Sequence, residues 1–291
     1  MSVERLSPCK VNLLLNILGK RLDGFHELET VMQPVPVHDR LTFDAVPTGI
    51  HLTCTNSELP TGAGNLVHKA TVKFFQATQI NSGVRIHLEK NIPLSAGLGG
   101  GSGNAAHTLL GLNELYQRPL DAERLSQLAA ELGSDVPFFL QSNPALATGR
   151  GENVESLKPF PSLQGAWILL IHPGFGIATA WAYQQLAKFP TALNGQPGRA
   201  LELVGLLMAG DLAEASRHFY NSLEAPALKK YPILVLFQEF LRENGAAVTL
   251  MSGSGSTTFA LTTSRESATL LRERFVERFG LSNWTAIAPL G

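Results

Sequence analysis

Pro93 to Ala106 reads PLSAGLGGGSGNAA, five glycines in fourteen residues, set between a strand pattern and a helix pattern. On its N-terminal side VRIHLEK, from Val84, alternates as a strand before Asn91 and Pro93 break it. On its C-terminal side Ala105, Leu109 and Leu112 recur at helical spacing, joined by Ala106 and Leu110. This spacing predicts a helix through about Tyr116 whose apolar stripe packs on a sheet. Closely spaced amides without Cβ bulk, ending at a helix N-terminus, suit a phosphate chain. The candidate phosphate-binding residues are Pro93, Leu94, Ser95, Ala96, Gly97, Leu98, Gly99, Gly100, Gly101, Ser102 and Gly103. The Ser102 hydroxyl can bond a phosphate oxygen or a magnesium ion. A flexible linker or tight turn is the competing reading of any glycine cluster. The lysine of an ordinary P-loop is missing.

Upstream, CKVNLLLNI from Cys9 reads as a strand with Cys9, Val11, Leu13, Leu15 and Ile17 on one face and Lys10 and Asn12 on the other. GKRLDGFHE is turn-rich, and Thr30–Val37 and LTFDAV from Leu41 read as further strands. Downstream, Asp121 can cap a helix striped by Leu125, Leu128, Ala129 and Leu132 and stopped by Gly133. SDVPFFL follows directly. The polar ATGRGENVES, with its core at Gly149 to Ser156, is a candidate domain boundary before the strand-like WILLIHP. PTALNGQPGR at Pro190 reads as a loop. Helical patterns cover Leu201–Met208 and Ile233–Phe240, and the strand-like VTLM and TTFALTT flank SGSGS.

The 291 residues are 44% hydrophobic and 16% charged with a formal net charge of −1, which fits a folded chain and argues against a broad nucleic-acid surface. Two cysteines, Cys9 and Cys54, do not make a disulfide framework, and no metal-ligand cluster stands out. MSVERLSP lacks the apolar core of a signal peptide, and no apolar run is long enough to cross a membrane. A cytoplasmic location is expected.

PLSAGLGGGSGNAA resembles the middle motif of the GHMP kinase superfamily, and VTLMSGSGSTTFAL resembles its late glycine-rich motif. SPCKVNLLLNILGKRLDGFHELETV, LGSDVPFFL and HPGFGIAT resemble the branch whose acceptor is 4-diphosphocytidyl-2-C-methyl-D-erythritol. The resemblance spans nearly the whole chain. Cys9 stands where alanine is usual, Phe25 where tyrosine is usual, and Gly103 where the loop usually has a second serine.

The resemblance implies an α+β, two-domain GHMP kinase fold. Its N-terminal half would be like ribosomal protein S5 domain 2 and its C-terminal half a ferredoxin-like α/β sandwich, expected over 1–155 and 156–291. It implies ATP-dependent phosphorylation of the acceptor's 2-hydroxyl in the non-mevalonate isoprenoid route, with ATP as co-substrate and magnesium expected. No residue is assigned as a metal ligand. Other GHMP acceptors (homoserine, a mevalonate derivative, a sugar) and a non-catalytic nucleotide-binding protein are the rival readings, and a homodimer stays open.

The resemblance also assigns Asp135 and Lys10 as the catalytic residues. From local sequence alone Asp135 could instead cap a helix, and Lys10 could be a solvent-facing strand lysine. Asn12, Phe25, His26, His172, Thr179 and Tyr183 are assigned to the cytidine-tagged acceptor, with Phe25 and Tyr183 as stacking surfaces. Core packing of Tyr183 and structural roles for both histidines are the alternatives. Ser252, Gly253, Ser254 and Gly255 form the late phosphate loop or a tight hairpin turn.

Overall fold

The computed structural model describes residues 2–290. Two compact units form, each drawn from separated stretches of chain. The first takes the residues up to Cys9, Val37–Ile92 and Gly99–Ser142, and the second takes Lys10–Pro36, Pro93–Leu98 and the chain from Asn143 onward. Strands β1 (Ser2–Lys20) and β2 (His26–Val46) contribute residues to both. The two runs read separately at Thr30 and Leu41 are one strand, because Pro34 and Pro36 are accommodated without ending β2.

In the first unit β3 (Ile50–Cys54), α1 (Leu66–Thr78), β4 (Gly83–Glu89), α2 (Gly100–Leu115) and α3 (Ala122–Leu132) follow. The later part of β2 pairs antiparallel with β4, from Arg40 opposite Glu89 to Val46 opposite Gly83. β3 runs parallel to β4, a direction that needs the α1 crossover. Alternation in β4 buries Val84, Ile86 and Leu88 and exposes Arg85, as the period of two requires. Asn65 caps α1 by accepting the Val67 N–H at 2.9 Å, and Asp121 caps α3 by accepting from Arg124 at 2.8 Å. The α2 stripe of Ala105, Ala106, Leu109 and Leu112 is fully buried.

The second unit contains β5 (Ala145–Gly149), β6 (Asn153–Ser156), β7 (Trp167–His172), α4 (Thr179–Leu186), α5 (Pro190–Leu193), α6 (Arg199–Ala209) and α7 (Leu212–Ala215). It continues with β8 (Tyr220–Asn221), α8 (Glu224–Lys230), α9 (Pro232–Glu243), β9 (Val248–Met251), β10 (Thr258–Thr262), α10 (Arg265–Phe279) and β11 (Trp284–Pro289). Its antiparallel sheet has the order β11-β7-β10-β9. Counted along the chain that is fourth, first, third, second, with helices after the first and third strands. This is the split β-α-β arrangement of a ferredoxin-like sandwich. Leu169, Ile171 and Ala260 of the sheet share one core with Phe237, Leu241, Leu271 and Phe275 of the helices.

Two sequence expectations need correction. Gly149–Ser156, expected as a domain boundary, lies within the second unit: Thr148 opposes Asn153, so the stretch supplies the turn and second strand of a β5–β6 hairpin. The last change of unit along the chain falls after Ser142. Pro190–Leu193, read as loop, is a helical turn started by proline at its first position. Among the described residues no helix is long and apolar enough to cross a membrane.

Gly111 of α2 lies over Phe43 of β2, and a Cβ there would come within 2.5 Å of the buried ring. Gly111→Ala gains about 1 kcal/mol of helix propensity but overpacks a rigid ring, which costs about 1–3 kcal/mol. Packing dominates, so the variant should melt at a lower temperature than wild type in a thermal denaturation followed by circular dichroism.

Candidate active site

Lys10 and Asn12 stand on β1 in the second unit. The structure buries both faces of this strand from Cys9 to Asn16, leaving Lys10 4% and Asn12 3% exposed. The alternative of a solvent-facing Lys10 is thereby excluded. A buried ammonium needs hydrogen bonds to offset its lost hydration. Lys10 Nζ donates to Asn12 Oδ1 at 2.6 Å, and Asn12 Nδ2 donates to Thr30 Oγ1 at 2.8 Å.

The glycine loop is built by turning its carbonyls toward the protein. Thr257 N–H donates to Ala96 O at 3.1 Å, Ser252 Oγ to Gly97 O at 2.9 Å, and Lys10 N–H to Leu98 O at 3.0 Å. In a trans peptide the following N–H points opposite to its carbonyl, so the amides of Gly97, Leu98 and Gly99 face away from these partners. Gly97 has φ 77°, and a Cβ on it would sit 2.1 Å from the Ser252 carbonyl oxygen; only glycine fits. Gly99 then occupies the N-cap of α2 with no side chain closing the helix end, which leaves the dipole and first amides of Gly100, Gly101 and Ser102 to a ligand. The buried Ala96 and Leu98 side chains anchor the loop, Pro93 and Leu94 are half-buried, and Ser95 is exposed.

Gly103 differs from its neighbours. Its N–H donates to Gly99 O at 2.8 Å, and a Cβ would lie 2.8 Å from Ser7 Oγ and 3.0 Å from Pro8 O. It therefore packs the start of α2 against β1, and its amide belongs to the helix. Sequence reasoning missed Asp39, which sits between His38 and Arg40 in β2 and reads as an ordinary polar strand residue. This fully buried group pairs with the Lys90 ammonium and accepts from Asn91 N at 2.7 Å, Ile92 N at 2.9 Å and Asn104 Nδ2 at 2.9 Å. Asp39 thus fixes the residues that precede the loop and the first turn of the helix after it.

The late loop joins β9 to β10, with Met251 opposite Thr258, so the hairpin reading of its location is correct. It is also far more enclosed than a hairpin tip, since Ser252 through Thr257 are all buried. Asn221 Nδ2 donates to Met251 O at 2.7 Å and Gly253 O at 2.8 Å, and Ser256 Oγ donates to Phe175 O. The Glu224 carboxylate accepts Met251 N–H at 2.8 Å and Gln238 Nε2 at 2.5 Å. Ser252 and Ser256 thus turn inward as braces, while Ser254 shares a 3.0 Å hydrogen bond with Thr179.

Of the acceptor-side candidates, His26 and Tyr183 come together, with ring centroids 5.0 Å apart at 38°. Phe25 is 53% exposed at the β1–β2 turn, with the Arg150 guanidinium 4.8 Å over its ring. Burial, aided by Lys20, lowers the pKa of His26. His172 is buried, its pKa is lowered by that burial, and its Nδ1 accepts Gly174 N–H at 3.3 Å. That bond shapes the turn that leads to α4. Asp135, in the first unit, is half-buried in the turn after α3. The N-cap position of the 3-10 turn Pro137–Leu140 belongs to Val136, so the capping reading of Asp135 does not describe this turn. Among the described residues no group of three His, Cys, Asp or Glu side chains could hold a metal ion.

A glycine loop whose carbonyls are taken up by the protein, with a hydrogen-bonded buried lysine on the strand that binds it, is the equipment of a small-molecule phosphotransferase. The family models for the GHMP kinases N terminal domain and the GHMP kinases C terminal match residues 65–143 and 203–280. A 4-diphosphocytidyl-2-C-methyl-D-erythritol kinase from Pelotomaculum thermopropionicum is 41% identical over 276 residues, 94% of each chain. The crystal structure of a 4-(cytidine 5'-diphospho)-2C-methyl-D-erythritol kinase superposes with a TM-score of 0.80 at 35% identity, covering 99% of this chain and 100% of that one. A homoserine kinase structure from Cytophaga hutchinsonii shares the fold, with a TM-score of 0.77 at 20% identity, covering 99% and 95%. The chain belongs to the 4-diphosphocytidyl-2-C-methyl-D-erythritol kinase family of the GHMP kinases.

Gly97→Ala forces a Cβ into the Ser252 carbonyl and strains a left-handed backbone. A cost of about 1–3 kcal/mol should appear as a roughly 10- to 100-fold fall in kcat/KM for ATP in steady-state assays. Burial raises the Glu224 pKa against the opposing pull of Met251 N–H, Gln238 and Arg242. A carboxyl raised in the folded state costs nothing while both states are protonated, and it subtracts stability as pH climbs past the usual value of 4.5 through the folded pKa. Glu224→Gln keeps an acceptor oxygen, so its gain in urea stability over wild type should be largest near pH 8 and vanish below about pH 4.

Proposed function

We infer that this chain transfers the γ-phosphoryl group of ATP to the 2-hydroxyl of 4-diphosphocytidyl-2-C-methyl-D-erythritol, giving the 2-phosphate and ADP. The observation carrying this reading is the Lys10–Asn12 pair, which the opening motif of this family contains. It is buried, hydrogen-bonded and joined through Lys10 N–H to the carbonyl of Leu98 in the glycine loop. Relatives covering 94% or more of this chain carry that kinase name, which supports the acceptor's identity.

The acceptor oxygen attacks the γ-phosphorus, the bond to the β-phosphate bridging oxygen breaks, and the hydroxyl proton passes to the Asp135 carboxylate. Phosphoryl transfer asks the protein chiefly for alignment and charge stabilisation. The Lys10 ammonium supplies positive charge for the developing negative charge, and the amides of Gly97 to Ser102 hold the phosphate chain. Magnesium would be held mainly by the ATP phosphates and water and would offset charge on the transferring phosphoryl group, which needs no carboxylate cage, and none is found among the described residues. Ser102 is the loop residue whose hydroxyl can reach it. The half-buried His26 and Tyr183 rings offer the aromatic surface a cytosine needs, with Phe25 and Thr179 as further acceptor-side residues. The enzyme is proposed to act in the cytoplasm.

Asp135→Asn should keep affinity for an unreactive ATP analogue within about threefold while kcat falls about 10²- to 10⁴-fold, the usual span for a lost general base. Both are read by calorimetry and a coupled ADP-release assay. Alongside, a panel of alcohols should show turnover only with the cytidine-tagged acceptor. Equal turnover of homoserine or mevalonate would refute the acceptor assignment, and undiminished kcat in the variant would remove Asp135 from the chemistry.

A further inference from the structure

Thr30 lies at the end of the opening motif but was assigned no role there, yet it is 3% exposed and touches the residue that holds Lys10. We propose that Thr30 is a positioning residue for phosphoryl transfer: it sets which way round the Asn12 side-chain amide lies, and through it the place of the Lys10 ammonium. The inference rests on the reading that Lys10 serves the transfer.

The two ends of an asparagine amide have nearly the same size, so packing does not distinguish them. Hydrogen-bond polarity does. Lys10 Nζ can only donate, so it requires Oδ1, which it meets at 2.6 Å. Nδ2 can only donate, so it requires an acceptor on its far side. A threonine hydroxyl could serve either way, but its single proton is committed to the Leu14 carbonyl at 2.6 Å. Thr30 Oγ1 therefore presents lone pairs to Nδ2, at 2.8 Å. The chain of donors runs in one direction, from Lys10 to Asn12 to Thr30 to Leu14.

Turning the amide over would set donor against donor at Lys10 and leave its oxygen toward a hydroxyl whose proton is taken. Lys10, Asn12, Thr30 and Leu14 are all nearly or fully buried, so water does not stand in for the lost partners. Gly253 closes another side: a Cβ built on it would be in van der Waals contact, 3.5 Å from Asn12 Oδ1. The amide is held in one orientation by a residue that itself contacts neither substrate in the proposed reaction.

The test separates hydrogen bonding from packing. Thr30→Val keeps the side-chain shape and removes the hydroxyl, while Thr30→Ser keeps the hydroxyl and leaves a small void. The valine variant should lose about 10- to 100-fold in kcat, the effect of one unmade buried hydrogen bond, with KM for both substrates within about threefold of wild type. The serine variant should stay within about threefold in kcat. Adding Thr30→Val to Lys10→Ala should cost nothing further, because residues acting through one group are not additive. Should the valine variant fail to fold, Thr30→Ala against Thr30→Ser makes the same comparison with two smaller side chains. Wild-type kcat in the valine or alanine variant, equal impairment of the serine variant, or a full additional loss on top of Lys10→Ala would overturn the proposal. Full activity of Lys10→Ala by itself would instead overturn the underlying role of Lys10, a failure distinguishable because it does not involve Thr30.

Discussion

The approach of Gly97 to the Ser252 carbonyl governs how the phosphate loop is held. A Cβ at Gly97 would lie 2.1 Å from that oxygen, so the two backbones can meet only where one of them has no side chain. Once they meet, the donors that surround the loop take up Ala96, Gly97 and Leu98 carbonyls in succession. The planarity of the peptide unit does the rest, turning the following amides the other way. An anion site then arises from backbone geometry, with no lysine in the loop.

Polar groups buried at a distance from the loop keep this geometry. Asp39 binds the residues before the loop and Asn104 after it, and Lys90 neutralises the charge. In the second unit Asn221 and Glu224 hold Met251 and Gly253, and so hold Ser252 against Gly97. A buried carboxylate is a poor way to gain stability when compared with an apolar residue of the same size, since desolvation opposes it. Its value here is directional: each oxygen accepts from a particular N–H and specifies one backbone path. The raised pKa of Glu224 marks the energetic cost of that arrangement.

Much of the fold was legible locally. The α2 and α3 stripes, the Asp121 cap and the alternation of β4 depend on residues within a few positions of one another, and periodicity reports them faithfully. The hairpin at Gly149–Ser156 and the helical turn at Pro190 were misread because a polar glycine-containing stretch and a proline each have two common structural uses. Strand β1 was read as half-buried when both of its faces are covered, so Lys10 looked solvent-facing by pattern alone.

By itself the sequence determined the strand-loop-helix unit of the glycine loop, the resemblance to GHMP kinases and the identity of Lys10, Asn12 and Asp135 as candidates. The loop unit follows from residue types at short spacings, and Lys10 and Asp135 from the resemblance. Tertiary structure alone decided that Lys10 is buried, that Gly103 packs against Ser7 and Pro8, that His172 accepts Gly174 N–H and that Ser252 and Ser256 face inward. It also gave Asp39 its bonds to Asn91, Ile92 and Asn104, Glu224 its bond to Met251 and Thr30 its bond to Asn12. The reason is physical: these roles come from hydrogen bonds between residues far apart in the chain, such as Ser252 to Gly97, 155 positions away. A side chain's partner at that separation is set by how the backbone folds back, which no local pattern of residues encodes.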